Sequence, residues 1–180
     1  GESSVPTIKR YLTQPNTIGV SAFANCGVSD VQFPSSLKEI GEFAFYQSNI
    51  HSFFIPESVS EIGTDAFNGI GLSKITLDGG NAAFTLSGGG LYNKNVTRLL
   101  AVEGRTAQSI SVPDSVLSID AYVFQNAAAL NTLELGKGVS DFGMYATPFT
   151  GCGQLTSITV NGSNESLSSV DAVLSIALNS

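Results

Sequence analysis

A hexapeptide that recurs at a fixed step of 22 residues constrains the fold of this chain more than any other feature. The pattern I-G-x-x-A-F occurs at residues 18–23, 40–45 and 62–67. Between the copies, large apolar residues recur at the same step, for example in the columns that begin at Val31 and Phe33. A fixed register of this kind is typical of a solenoid, in which each coil buries its apolar side only against its neighbours.

Each regular coil is predicted to contain one half-buried strand. Residues 30–34 alternate polar and apolar side chains and end at Pro34, which cannot donate a ladder hydrogen bond. The equivalent segments are residues 52–56 and 74–77. Stacked coil on coil, these segments predict one parallel sheet. The rest of each coil is expected to return along the other side through short turns or helical turns.

The period breaks after Leu77, where the chain is predicted to form one larger, irregular coil. The step from Leu77 to its counterpart Val112 is 35 residues, which is the regular 22 plus an insertion of 13. The insertion is predicted to form a hairpin, with one strand at residues 90–92, a turn, and a returning strand at residues 98–102. We therefore expect a regular stack that is interrupted once by a larger coil.

The sequence predicts a single repeat domain at residues 18–180, preceded by a degenerate first coil or cap at residues 1–17. A truncated irregular coil is expected at the end, because Asn164 and the residues after it match Asn81 and its neighbours at a constant offset of 83. The predicted parts of the domain are regular coils at residues 18–77, the irregular coil at 78–109, regular coils at 110–160, and a truncated irregular coil or cap at 161–180.

The repeat resembles the BspA-like leucine-rich repeats, whose units read I-G-x-x-A-F-x-x-C-x-x-L-x-x-I-x-I-P-x-S-V. Residues 40–59 give the best match to this unit. The irregular coil is similar to a family segment, N-x-x-F…D-G-V-L-Y-N-K, through Asn81, Phe84 and residues 91–94, although glycine replaces its Asp and Val. The resemblance covers about residues 18–174.

The resemblance implies a right-handed leucine-rich-repeat solenoid of β-rich coils, about 22 residues each, with the parallel sheet on the concave side. It also implies a secreted or surface-anchored bacterial protein, with adhesion to host or matrix proteins or to other cells as its function. We therefore expect an extracellular or cell-surface location. A signal peptide is expected to have been removed, since Gly1 looks like the remainder of a cleaved tag.

Composition and charge argue against several other classes of protein. The net charge is −7 and the eight Lys and Arg residues are scattered, so nucleic acid is not an expected partner. No apolar run approaches the roughly 18–20 residues that span a bilayer, so membrane insertion by this segment is not expected either. We expect a monomer, although an open stack can also associate through its terminal coils.

The two cysteines, Cys26 and Cys152, each follow a repeat phenylalanine by three residues. Because coils stack about 4.8 Å apart, five coil steps separate the two sulfurs by more than about 20 Å. A disulfide needs Cα atoms within about 7 Å of each other. Both residues are therefore predicted to be free, buried packing thiols.

No catalytic, cofactor or metal site is predicted. His51 is the only histidine, so neither a catalytic triad nor a histidine metal site is easily built. Glu39 and Glu61 recur at one repeat position, and we interpret them as a solvated acidic column rather than a cation site. The glycines at residues 88–90 lack the Lys-Ser/Thr of a phosphate-binding loop. We therefore expect a non-enzymatic protein without a cofactor.

The outward side chains of the predicted strands form the candidate binding surface, a broad face of mostly short polar groups. Phe54 is the exception, and its ring is expected either to be a binding anchor or to be covered by the inserted hairpin. The predicted partner-binding residues are Gln32, Ser52, Phe54, Lys74, Thr76, Ser111, Thr132, Glu134 and Thr159.

Three functions remain open from the sequence. The first is an adhesion module that recognises an extracellular protein or glycoprotein through the concave sheet. The second is a structural spacer that presents another domain of a larger surface protein. The third, a glycan-binding accessory module or a hydrolase, is disfavoured because the chain has no Trp and few outward aromatic residues on which sugars stack.

Overall fold

In a computed structural model, which describes residues 16–29, 31–140 and 148–167, the chain forms a solenoid of stacked β-rich coils. Twelve short strands occur in these residues. In chain order they are β1 (Thr17–Ile18), β2 (Glu39–Ile40), β3 (Ser52–Ile55), β4 (Glu61–Ile62), β5 (Lys74–Leu77), β6 (Phe84–Ser87), β7 (Gly90–Asn93), β8 (Arg98–Val102), β9 (Ser109–Val112), β10 (Ser118–Ile119), β11 (Thr132–Leu135) and β12 (Ser157–Val160).

Strands β3, β5, β9, β11 and β12 occupy the predicted strand position of their coils and are called here the long strands. They pair in parallel and in register within two groups, as the repeat predicts. β3 pairs with β5, so that Phe53 lies opposite Ile75. β11 pairs with both β9 and β12, so that Leu133 lies between Ile110 and Ile158. These five side chains are buried, while the side chains between the inward positions are exposed or half-buried. One side of each sheet therefore packs on the core and the other meets solvent.

The prediction of one continuous parallel sheet is wrong, because the long strands form two sheets, β3–β5 and β9–β11–β12. β9 is the next long strand after β5, yet the two are not paired. At this break the Glu103 carboxylate accepts a hydrogen bond from the Ile75 N–H at 2.8 Å. A side chain of the irregular coil thus accepts a hydrogen bond from a backbone N–H at the edge of β5, where the next strand was expected to pair.

The predicted strand at residues 30–34 is also not formed over residues 31–34, and Asp30 lies outside the described residues. Val31 and Phe33 are buried and Gln32 is exposed, so the side chains keep the predicted alternation. The ladder pairing with β3 that would make this segment a strand is not formed. Alternation therefore predicts burial here but not backbone pairing, which depends on the neighbouring coil.

The I-G-x-x-A-F hexapeptides lead into turn segments, and no helix occurs in the described residues. The N–H groups of Phe43 and Phe45 donate to carbonyls of the next coil at 3.2 and 2.8 Å, whereas those of Ala44 and Tyr46 donate three residues back within their own coil. Phe43 has a φ of 53°, and its equivalents in other coils share this left-handed conformation. The turn segments of coils one, two, three and five are residues 19–26, 41–48, 63–70 and 120–127.

The glycine of the hexapeptide is required by the close approach of neighbouring coils. A Cβ atom at Gly41 would lie 2.8 Å from the Ile18 carbonyl oxygen, and one at Gly63 would lie 2.5 Å from the Glu42 nitrogen. Real Cβ atoms essentially never approach backbone atoms so closely, so a side chain there would push the stacked coils apart.

The irregular coil, which is coil four, contains the predicted hairpin and one further strand. β7 and β8 pair antiparallel, and β6, which was not predicted, pairs antiparallel with β7. The start of β8 then pairs in parallel with β10, so that Leu99 lies opposite Ile119. Coil four therefore continues as an extended strand where the regular coils form their turn segment.

Strands β7 and β8 divide the hydrophobic core into two clusters. Leu91 and Leu100 pack with the apolar residues of coils one to three. Tyr92, Leu99 and Val102 pack with those of coils five and six. β7 and β8 thus have buried side chains on both faces and contact both clusters. This strand pair is called here the shared wall.

Asn81 and Asn164 repeat one set of four hydrogen bonds, in agreement with the predicted offset of 83. The Asn81 Nδ2 donates to the carbonyls of Pro56 and Val59, and its Oδ1 accepts from two backbone N–H groups that follow it. The Asn164 side chain forms the same set, with the carbonyls of Gly136 and Val139 as acceptors. Residues 168–180, which complete the predicted last part, lie outside the described residues.

Candidate binding face

The outward side chains of the long strands and Gln32 form one candidate surface, called here the long-strand face. Pairing sets Ser52 beside Lys74 and Phe54 beside Thr76 on the first sheet. Gln32 is exposed but lies outside any strand. On the second sheet, lined up across the strands in the same way, lie Ser111, Thr132, Glu134 and Thr159.

Phe54 is the most exposed aromatic group of the long-strand face. The residue is 46% exposed, within β3. The alternative that the inserted hairpin covers this ring is therefore wrong, because nearly half of its surface remains in contact with solvent. The backbone of β3 is held by the ladder to β5, so the ring stands on a fixed support.

Lys74 is the cationic group of the first sheet, opposite Ser52, and it pairs with the carboxylate at the sheet break. Its Nζ lies 3.4 Å from Glu103 Oε1, the atom that also accepts the Ile75 N–H. The Lys74 side chain is 67% exposed, so the ion pair is solvated and contributes little to stability. The ammonium group therefore stays available to a partner.

The second half of the long-strand face is acidic and rich in hydroxyl groups. Ser111, Glu134 and Thr159 line a shallow pocket of about 230 Å³ together with Asp114 and Asn161. The Asp114 carboxylate accepts a hydrogen bond from the Asn161 Nδ2 at 3.1 Å. The two halves of the face thus differ in chemistry, one aromatic and cationic, the other acidic.

The other candidates from the sequence lie elsewhere. Glu39 and Glu61 are exposed and lie in register on β2 and β4, which confirms the acidic column. His51 is exposed and immediately precedes β3. In the part of the chain that the structure describes, no three His, Cys, Asp or Glu side chains are grouped so as to hold a metal ion. Nor does any helix within that part have the length and hydrophobicity to cross a membrane.

A buried charged cluster between coils three and five was not predicted from the sequence. Arg98 Nε and Nη2 donate to the two carboxylate oxygens of Asp120, each at 2.6 Å. Asp120 Oδ2 also accepts the Asp65 N–H at 3.0 Å, and Asp65 Oδ1 accepts the Ala121 N–H at 2.8 Å. The one feature of the sequence that indicates this cluster is Asp120, because it occupies the glycine position of the hexapeptide.

Cys26 and Cys152 are both free thiols, as predicted. Cys152 is buried, and its Sγ–H donates to the Phe124 carbonyl oxygen at 2.8 Å. Burial raises the pKa of the Cys152 thiol to about 11, so this group is neutral and unreactive near neutral pH. Cys26 is half-buried rather than buried, which corrects part of the prediction.

Three solved bacterial structures are similar to the chain. The pneumococcal vaccine antigen PcpA is 28% identical, with a TM-score of 0.73, over 83% of this chain and 38% of that chain. A leucine-rich repeat protein from Eubacterium ventriosum ATCC 27560 is 23% identical, with a TM-score of 0.56, over 81% and 51%. A leucine-rich cell surface protein from Faecalibacterium prausnitzii A2-165 is 22% identical, with a TM-score of 0.62, over 81% and 47%. The chain thus spans about half or less of each structure.

The family of the chain follows from its repeats. No curated protein sequence matches the chain. The family model for the BspA type leucine-rich repeat region matches residues 7–89 and 101–171, in six copies. These residues are most of the sequence, and they contain the hexapeptides and parallel strands described above. The chain therefore belongs to the BspA-type leucine-rich repeat family.

Proposed function

We propose that the chain is a non-enzymatic interaction module of a secreted or cell-surface protein, and that it binds an extracellular protein or glycoprotein through the long-strand face. Repeat solenoids present broad, regular surfaces that commonly serve for binding. Contacts on such a face are shallow and spread over several coils, which suits a macromolecule better than a small substrate.

The exposure of Phe54 is the observation that carries the proposal. Phe54 is 46% exposed on a paired strand, so apolar surface of this residue is left in water. Burial of that surface against a partner is favourable by about 25 cal/mol per Å². Thr76 supplies a hydrogen-bonding group beside the ring, and Lys74 lies two residues before Thr76 on the same strand. An aromatic anchor surrounded by polar contacts is the usual arrangement of a binding hot spot.

The proposed location draws on the family and on the descriptions of similar proteins. The pneumococcal protein is described as a vaccine antigen, and the F. prausnitzii protein as a cell surface protein. We extend an extracellular or cell-surface location to this chain as part of the same proposal, and we expect the module to act as a monomer.

Binding of the 180-residue chain to immobilised extracellular-matrix proteins and serum glycoproteins tests the proposal. We expect saturable binding to at least one of them, weakened about tenfold or more by Phe54→Ala. The double variant with Glu134→Lys is expected to lose binding, because it also reverses the charge of the acidic half. Leu117→Ala is the matched control, since Leu117 is 53% exposed and lies outside the long-strand face. Binding that the face variants retain would contradict the proposal.

A structural spacer is the second candidate, favoured by the recurrence of the Asn81 hydrogen bonds at Asn164. A solenoid lengthens by repeating such units, and length is what a spacer supplies. Circular dichroism of the chain used in the binding experiment separates the two functions. A folded chain that binds no member of the panel would support the spacer.

A further inference from the structure

A polar pocket of about 260 Å³ lies where coils two, three, four and five meet. Gln47 from coil two and Arg105 from coil four line it, together with Gln125 and Asn126 from coil five. None of the residues that line it belongs to the long-strand face. This pocket is therefore a second surface feature, separate from the proposed binding face.

The pocket exists because coil four lacks a turn segment and coil three has glycines at the meeting point. Asn126 Nδ2 donates to the Gly69 carbonyl at 2.9 Å, so coil five docks on coil three across the gap. A Cβ atom at Gly69 would lie 2.8 Å from Gln125 Oε1, and one at Gly71 would lie 2.5 Å from Arg105 Nε. The missing side chains at these positions thus leave room for the carboxamide and the guanidinium.

The charge of the pocket is opposite to that of the whole chain. The chain has a net charge of −7, yet none of the described residues that line the pocket is acidic. Arg105 is exposed and forms no ion pair with any described residue. Its backbone is fixed by the hydrogen bond from its N–H to the Leu72 carbonyl at 2.9 Å. An unpaired guanidinium on a fixed segment suits bidentate recognition of a carboxylate.

We propose that this pocket binds an acidic sugar residue. Arg105 pairs with the sugar carboxylate, and the hydroxyl groups of the sugar ring bond to the Gln47, Gln125 and Asn126 carboxamides. A volume of about 260 Å³ lies just below the usual range for pockets of drug-sized ligands, so it accommodates one sugar ring rather than an oligosaccharide. Recognition here uses charge and hydrogen bonds, which do not require the aromatic stacking surface that the sequence lacks.

Titration of the isotope-labelled 180-residue chain with glucuronate, followed by amide chemical shifts, tests this proposal. Saturable shifts are expected at the pocket, including the Gly69 and Gly71 amides. Glucose, which lacks the carboxylate, is expected to bind about tenfold more weakly or worse. Arg105→Gln should weaken glucuronate binding by a similar factor. The matched control Lys137→Gln removes one positive charge outside the pocket and should leave the affinity unchanged.

Acetate and a tripeptide with a free C-terminal carboxylate complete the test. If either binds as tightly as glucuronate, or if nothing saturates the pocket, the acidic-sugar proposal is overturned.

Discussion

At the scale of single residues, Asp120 adapts the repeat to its interruption. Its N–H donates to the Leu99 carbonyl at 2.9 Å, as the N–H of Gly63 donates to Ile40 in a regular coil. The regular coils need glycine at this position because the preceding turn segment lies against it. Coil four has no turn segment, so there is space for a side chain. The Asp120 carboxylate uses that space to reach the Asp65 N–H and Arg98.

Asp120→Ala tests this role. The substitution leaves the Arg98 guanidinium and the Asp65 N–H without their acceptor, and the Asp120 side chain is only 4% exposed. We expect the free energy of unfolding to fall by about 2–4 kcal/mol in urea denaturation. Glu61→Ala, which removes an exposed carboxylate, should change it by less than about 0.5 kcal/mol. Equal effects of the two substitutions would show that the cluster does not hold the coils together.

The neighbouring Asp65 gives a prediction with a defined pH dependence. Burial raises the pKa of Asp65 above its ordinary value of 3.8, and the Asp120 carboxylate adds to the rise. The folded state therefore holds this proton more tightly than the unfolded state. The contribution of Asp65 to stability is complete below about pH 3.8 and is lost as the pH rises through the folded value.

Asp65→Asn removes this titration and keeps the local structure. The amide oxygen still accepts the Ala121 N–H, and asparagine suits the φ of 59° at this position. We expect the variant to be more stable than the parent at pH 7, by a margin that shrinks as the pH is lowered towards 3.8. Urea denaturation at several pH values measures the margin, with Glu39→Gln as the exposed control. A margin that is independent of pH would refute the argument.

At the scale of elements, the side chain of Asn81 joins the irregular coil to the coil before it. Asn81 is buried, and its Nδ2 donates to the Pro56 and Val59 carbonyls at 2.8 and 2.9 Å. Its Oδ1 accepts from the Ala83 and Phe84 N–H groups at 2.9 and 3.2 Å, immediately before and at the start of β6. This one side chain thus bonds to backbone groups of the preceding coil and of the irregular coil, at the position where the regular repeat is interrupted.

Asn81→Ala should therefore lower the free energy of unfolding more than an ordinary surface substitution does. It removes four hydrogen bonds from a buried site, and only the Pro56 carbonyl is known to keep another donor, the Val59 N–H. We therefore expect a loss of about 2–4 kcal/mol in the free energy of unfolding. Asn164→Ala removes the same bonds at a half-buried position and should cost less. Asn131→Ala, at an exposed position, is the control and should be nearly neutral. Equal losses at positions 81 and 131 would contradict this role.

The elements also show how far the sequence could predict the molecule. The buried columns, the hairpin and the Asn81–Asn164 correspondence follow from a fixed step along the chain, because stacked coils place equivalent residues side by side. The split between β5 and β9 does not follow, since it depends on Glu103 satisfying the Ile75 N–H. Likewise, Asp65 and Asp120 are 55 residues apart and meet only because coil four omits its turn segment.

The two candidate surfaces also differ in how far the sequence could predict them. Alternation along the strands was sufficient to identify the outward side chains of the long-strand face, including Phe54. The acidic-sugar pocket was not predicted, because it joins side chains of coils two, four and five across an interruption that the repeat does not describe. Its signals in the sequence are the paired glycines, Gly69 and Gly71, at a position where coil two carries Gln47 and Asn49.

At the scale of the whole molecule, the insertion joins two stacks rather than separating them. β7 and β8 contribute Leu91 and Leu100 to one core cluster and Tyr92 and Leu99 to the other. Loss of either cluster would therefore strip one side of a shared wall and expose its apolar residues to water. In a solenoid, where each coil contacts only its neighbours, such a wall decides whether the two parts unfold together.

We expect a single cooperative unfolding transition, shifted alike by core substitutions on either side of the wall. Ile75→Ala in the first cluster and Leu133→Ala in the second each remove a fully buried side chain. Each should lower the free energy of unfolding by about 2–5 kcal/mol. Thr76→Ala and Glu134→Ala, their outward neighbours, are the matched controls. Because the wall couples the clusters, circular dichroism and tyrosine fluorescence should give coincident urea transitions in every variant. If either core substitution instead produced two transitions, with only one of them shifted, the two stacks would be independent and β7 and β8 a passive insertion between them.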